Sequence, residues 1–175
     1  TKNSPDIGPL AVMAATRPDL DQLCRLLNFS EGASRQLFLS CLYADRQIAG
    51  GCAVVGPFVG APYAVMLLEN LIAWGARRII FIGWCGAISA EVKIGDLILP
   101  TAGLIDEGTS KHYGAGNTDK VLATFPLMAG LRQVLKDGNR SFHEGTVWTT
   151  DAIYRETRPA VAAHRGNGVL AVDME

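Results

Sequence analysis

Residues 76–100 read ARRIIFIGWCGAISAEVKIGDLILP, and the first part of this stretch decides the fold class. Arg78-Ile79-Ile80-Phe81-Ile82 is a short apolar run stopped by Gly83, the pattern of a buried strand covered on both faces. Gly83-Trp84-Cys85-Gly86-Ala87 reads as a turn. Val92–Pro100 reads as a second strand, with Gly95-Asp96 marking a bend. A strand that ends in a glycine pair brings backbone N–H groups to the carboxyl end of a sheet, where open α/β folds place their ligands. Residues alone thus point to a binding site here and name no ligand.

Working outward, strand and helix patterns alternate. Residues 1–8 are a polar, loose lead-in and Pro9–Ala15 is a strand. Thr16-Arg17-Pro18-Asp19 opens a helix carrying Leu20, Leu23, Leu26 and Leu27 at helical spacing. Gln36–Tyr43 and Ile48–Val55 are strand candidates separated by the turn Ala44–Gln47. The loop Gly56–Pro62 leads into a helix, Tyr63–Trp74, stopped by Gly75. After the opening stretch come a strand from Thr101 running into a polar segment that ends at Tyr113, a glycine-rich mobile stretch at 114–119, and a helix Leu127–Leu135. A strand His143–Thr150, a polar loop Asp151–Arg158 and a last strand Val169–Val172 complete the pattern. Such alternation predicts one α/β domain over residues 1–175 with a mixed or parallel sheet. The chain begins at Thr1 and stops just as an apolar strand meets Asp173-Met174-Glu175. Domains usually finish on a surface helix or loop, so a domain truncated at its C-terminus is expected.

The balance of 49% hydrophobic and 19% charged residues over 175 positions fits one well-packed domain. Sixteen basic against seventeen acidic residues leave no electrostatic footprint for nucleic acid or an anionic membrane. No apolar run reaches the roughly 18 residues of a membrane span. Cys24, Cys41, Cys52 and Cys85 form no CxxC pair and lie in apolar neighbourhoods, the usage of reduced, buried thiols in a cytoplasmic protein. No metal-ligand spacing and no Ser-His-Asp order stands out.

Three polar clusters compete with bland readings. Asp106–His112 is either a solvated loop or a site, and the same holds for Asp151, Tyr154, Arg155, Glu156 and Arg158. Asp173-Met174-Glu175 follows an apolar strand, where a carboxylate can accept two hydrogen bonds from a pair of sugar hydroxyls or simply face a helix start. The loop Gly56–Pro62 lacks the GxGxxG spacing of a dinucleotide site.

Taken in order, Gly60-Ala61-Pro62 with Leu68-Glu69-Asn70-Leu71, Ile79–Ala87, Val92–Leu97, Asp106–Tyr113, Thr149–Tyr154 and Val172–Glu175 resemble the successive motifs of the nucleoside phosphorylase superfamily. That group includes uridine phosphorylase, hexameric purine nucleoside phosphorylases and methylthioadenosine/adenosylhomocysteine nucleosidases. The resemblance implies a three-layer α/β/α fold around a mixed, partly barrel-like sheet and cleavage of a nucleoside N-glycosidic bond by phosphate or water, without metal or organic cofactor. It also implies a homodimer that can build a hexamer. By the same resemblance Met174 and Glu175 hold the ribose, Trp84, Cys85 and Gly86 lie on the phosphate and base-side turn, and Ile153, Tyr154 and Arg158 belong to the base pocket. His112 is grouped with them on the substrate. Arg35 is the retained phosphate arginine, reaching into the neighbouring subunit.

The departures bear on the reaction. Phe81 stands where the phosphorylases keep a phosphate-binding arginine and Trp84 where they keep a small hydroxyl residue. Ala15 and Asp19 replace a glycine and an arginine. A carboxylate repels a phosphate dianion by several kcal/mol at an effective dielectric near 20. The nucleosidases carry a glutamate near the position of Asp19, so Asp19 is the candidate general base, its bland alternative being a first-turn helix acid. Ile153 replaces a base-stacking aromatic, the uracil-reading glutamine is missing, and Arg158 stands in for a pyrimidine-side arginine one position off. Hydrolysis is therefore favoured over phosphorolysis, with a catalytically degenerate nucleoside binder or structural subunit as the alternative.

Overall fold

The computed structural model describes residues 5–30, 34–114 and 118–175; half of the stretch read as mobile, 115–117, and the start of the lead-in lie outside them. The chain forms two compact units, Thr1–Trp84 and Cys85–Glu175.

In the first unit, β1 (Leu10–Ala14), β2 (Ser34–Leu37), β3 (Ser40–Asp45), β4 (Cys52–Gly56) and β5 (Arg78–Ile82) form a mixed sheet in the order β2-β3-β4-β1-β5. β1 pairs in parallel with both β4 and β5, while β2, β3 and β4 run antiparallel. Helix α1 (Arg17–Leu26) starts where β1 ends, because Thr16 caps it: the Asp19 amide donates to Thr16 Oγ1 at 3.3 Å, and Pro18 fits the first turn. Its Leu20 is buried against Val12, Ala14 and Val54. Helix α2 (Ala61–Ala73) buries Ala61, Ala64, Leu67 and Leu71. Leu67 and Leu71 join Met13, Ala53 and Val55 in the main core. Gly56 is required: a Cβ there would lie 2.2 Å from the Ala14 carbonyl oxygen, where the ends of β4 and β1 close together.

In the second unit, β6 (Gly86–Ala87), β7 (Leu97–Asp106), β8 (Lys120–Leu122), β9 (Phe142–Thr150) and β10 (Val169–Asp173) form a second mixed sheet, ordered β6-β10-β9-β7-β8. β9 pairs in parallel with β7 and β10, and β6 and β8 close the edges antiparallel. Helices α3 (Phe125–Asp137) and α4 (Arg158–Gly166) complete it. A small core joins Ile88, Trp148, Val169 and Val172.

The α/β class is as expected, and several local expectations are corrected. β5 is not covered on both faces. It is an edge strand, with Phe81 41% and Ile82 38% exposed. The second strand begins only at Leu97. Gly95 takes φ +91° and Asp96 closes a turn, its Oδ2 accepting from the Lys93 amide at 2.9 Å. That strand then runs unbroken to Asp106, passing Pro100 where a register shift against β9 removes the need for an N–H. Gln36–Tyr43 is the hairpin β2–β3, turned at Phe38 with φ +54°. Residues 48–50 form a short 3-10 turn before β4. The lead-in is not loose throughout, since Ile7 is fully buried. Arg158 does not end a loop but opens α4, capped by Thr157. Gly86 is not part of an open turn; it pairs with Val172 in β6.

Candidate functional site

Ala14 and Ile82 are paired partners at the ends of parallel strands β1 and β5. The chain leaves both strands on the same side, into α1 and into the Gly83–Trp84 turn respectively. That shared exit brings two side chains 65 positions apart into contact: Trp84 Nε1 donates to Asp19 Oδ2 at 2.7 Å. Thr16 Oγ1 donates to the same oxygen at 2.6 Å. Asp19 is half-buried, while Trp84 is 72% exposed. Phe81 points its ring at Phe58, edge to face at 5.1 Å. The sheet end therefore offers a carboxylate held from two sides and an apolar pair. Arg35 does not join them: it lies exposed on β2, the opposite edge of the same sheet.

In the second unit the carboxyl ends of β10, β9 and β7 carry the polar groups. Thr149 and Asp173 are register partners, and Thr149 Oγ1 donates to Asp173 Oδ1 at 2.7 Å. Burial pushes the Asp173 carboxyl up. The Glu175 carboxyl is also raised, first by burial and then by Asp173. The Cys85 thiol is raised by local burial and by Asp173, although the residue as a whole is exposed rather than buried as expected. Cys85 and Glu175 thus each lie close enough to Asp173 to feel its charge, and Met174 lies between the two acids. Asp106, at the end of β7, accepts from Trp148 Nε1 at 2.9 Å, and the Trp148 ring lies 4.2 Å from that of His164.

Two loops follow the ends of β7 and β9. The first holds Glu107, almost fully buried. Burial pushes its carboxyl up, but hydrogen bonds from Ser110 and Thr109 outweigh this and leave it lowered. His112 sits exposed in the short 3-10 turn Ser110–Tyr113. The second loop carries Ile153 and Tyr154 in a 3-10 turn, 41% and 95% exposed, followed by the exposed Arg158 at the start of α4.

The structure thus brings Asp19 to Trp84, and Cys85 and Glu175 to Asp173. Asp173 is marked in the sequence only as a member of the Asp173-Met174-Glu175 cluster, with the ribose assigned to its two neighbours, and nothing in the sequence marks Trp148. Among the described residues no group of three His, Cys, Asp or Glu side chains is placed to hold a metal ion, and no helix is long and apolar enough to cross a membrane.

A family model described as the Phosphorylase superfamily matches residues 9–175. A guanosine phosphorylase from Halorubrum lacusprofundi is 29% identical over 97% of this chain and 70% of its own length. A DeoD-type purine nucleoside phosphorylase from Myxococcus xanthus is 31% identical over 70% of this chain, a match spanning 52% of that relative. Among solved structures, a uridine phosphorylase from Vibrio fischeri superposes with a TM-score of 0.83 at 22% identity, over 97% of this chain and 70% of its own. A 5′-methylthioadenosine/S-adenosyl homocysteine nucleosidase from Helicobacter pylori gives 0.81 at 15% identity, over 98% and 76%. At those identities the two structures establish the shared fold.

Proposed function

The chain belongs to the phosphorylase superfamily, and from that premise we propose that it cleaves the N-glycosidic bond of a nucleoside, with water as the attacking group. The observation that carries the choice of nucleophile is the Trp84–Asp19 hydrogen bond. An anion-binding turn needs donors and positive charge. Here the indole occupies the turn and its N–H is spent on a carboxylate. A carboxylate held in one orientation by Trp84 and Thr16 is suited to taking a proton from water as it attacks. It is unsuited to a phosphate dianion.

Bond cleavage of this kind passes through a cation-like ribosyl group, so groups that bind the sugar more tightly as charge develops accelerate it. Asp19 acts as general base and Trp84 positions it. In the second unit, Glu175 accepts from the sugar hydroxyls and Met174 packs the ribose face. Ile153, Tyr154, Arg158 and His112 recognise the base, and Cys85 and Gly86 flank the turn. Residues 1–175 are read as one phosphorylase-like domain of a cytoplasmic homodimer able to build a hexamer, with Arg35 serving the neighbouring subunit.

The second reading is phosphorolysis, favoured by the guanosine and purine nucleoside phosphorylases among the relatives. A nucleoside binder without catalysis is the third, favoured by Ile153 in place of a stacking aromatic. The deciding experiment incubates the chain with guanosine, adenosine, uridine and 5′-methylthioadenosine in phosphate-free buffer and follows free nucleobase. Release without phosphate is expected. Release only after phosphate is added selects the second reading, and calorimetric binding with no release selects the third.

A further inference from the structure

We propose that Asp151 is a positioning residue that sets nucleoside recognition by tying together the two loops at the ends of β7 and β9; this rests on the nucleoside-cleaving reading above. The parallel ladder between these strands reaches Asp106 and Thr150 as its last partners. Beyond that point the backbones part, and each loop is folded on itself. Glu107 accepts from the Thr109 and Ser110 amides at 2.5 and 3.1 Å in the first. In the second, the Ala152 amide donates to Thr150 Oγ1 at 3.3 Å and the Arg155 amide to the Ala152 carbonyl at 2.8 Å. The bond that crosses between them joins residues 43 positions apart: the Gly108 amide donates to Asp151 Oδ2 at 2.8 Å.

The consequence follows from what the second loop carries. Ile153 and Tyr154 are too exposed for packing to hold them, so their location relative to His112 depends on how the backbone beneath them is held. Asp151 lies two residues before Ile153 and fixes that backbone to the loop of His112. An ionised carboxylate accepting a backbone N–H is among the stronger single hydrogen bonds available to such a link. Gly108 leaves space for it, since a Cβ there would stand 3.6 Å from Asp151 Oδ2, an ordinary contact. The link therefore needs the Gly108 N–H and an acceptor at 151; it does not need glycine as such.

The test uses the full chain and four proteins: the parent, Asp151→Ala, Asp151→Asn and Gly108→Ala. Asp151→Ala is expected to raise KM for the best nucleoside roughly tenfold, the scale of one hydrogen bond to a charged group, with kcat within about twofold. It should also accelerate hydrogen exchange at the Gly108 amide while amides of β9 stay protected. Asp151→Asn keeps an acceptor oxygen and should restore both readouts. Gly108→Ala keeps the N–H and should match the parent. Unchanged KM and exchange in Asp151→Ala overturn the proposal. So does an Asp151→Asn variant that keeps Gly108 protected yet still shows the raised KM, because the carboxylate would then be touching the ligand itself. If the parent releases no nucleobase, the functional reading fails separately, and Gly108 exchange together with the calorimetric nucleoside Kd decides the tether in the same four proteins.

Discussion

Among the described residues each unit has five strands, yet the two are stabilised internally in different ways. In the first, β4 is buried along its whole length and α2 contributes four buried side chains. In the second, α4 buries none, α3 buries only Met128, and β8 is exposed throughout. What the second unit lacks in apolar packing it replaces locally with polar bonds: Trp148 to Asp106, Thr149 to Asp173, Gly108 to Asp151. Close-packed interiors resist displacement. The first unit therefore presents Asp19 and Trp84 from a stiff frame. In the second unit, the residues proposed for recognition ride on loops whose geometry depends on individual hydrogen bonds. Substitutions of buried side chains in the first unit should cost stability, whereas those in the second unit's two site loops should cost function before stability.

The largest expected effect tests the stiff frame at its functional end. Asp19→Asn should lower kcat by about 10²–10⁴, the usual worth of a positioned general base, while its denaturation midpoint stays near that of the parent. A fall of less than threefold would return Asp19 to a helix-start acid. Next, Leu71→Ala in the first unit should cost about 2–5 kcal/mol in urea unfolding, against less than about 0.5 kcal/mol for the exposed Val134→Ala in the second. Equal costs would erase the contrast between the units.

A smaller effect concerns the buried carboxyl of the second unit. The folded pKa of Asp173 lies above its ordinary value because burial disfavours the charge. Folding then takes up a proton, so this group's contribution to stability falls as pH rises from the ordinary aspartate range through the raised folded value. Asp173→Asn, which still offers Thr149 an acceptor, should melt higher than the parent above that window and lose the advantage below it. A variant destabilised equally at every pH would show that the charge itself is needed. The smallest effect is Arg132→Ala: the two-pronged pair with Glu144, at 2.5 and 2.9 Å, is solvent-screened, so its loss should shift the urea midpoint only slightly, and less at high salt than at low.

Legibility in the sequence follows how local the signal is, not which unit carries it. β1, α1, α2 and Gly75 were readable because apolar spacing, a capping threonine and a stop glycine all act over a few residues. β9, α3 and β10 were readable for the same reason. α4 escaped because RPAVAAHRG carries no buried stripe, and β8 because its three residues have no periodicity to show. Pro100 argued for a strand end, whereas a register shift lets the strand continue. Ile7 looked like part of a polar tail, and only the sheet shows what buries it. At the site, Asp19 and Trp84 were each legible as departures from a phosphate-binding pattern. Their bond was not, because it depends on β1 and β5 being parallel neighbours that end together. Asp151 was legible only as one member of a polar cluster; its partner lies 43 residues away.

The central claim is that the Trp84–Asp19 pair makes water, not phosphate, the nucleophile. It is tested most directly by identifying the sugar product by NMR when the chain turns over its best nucleoside in saturating phosphate. The free sugar, ribose or its 5′-substituted form, as the sole sugar product, at a rate indifferent to phosphate, is the predicted result. The sugar 1-phosphate, formed at a rate that rises with phosphate concentration, would contradict it.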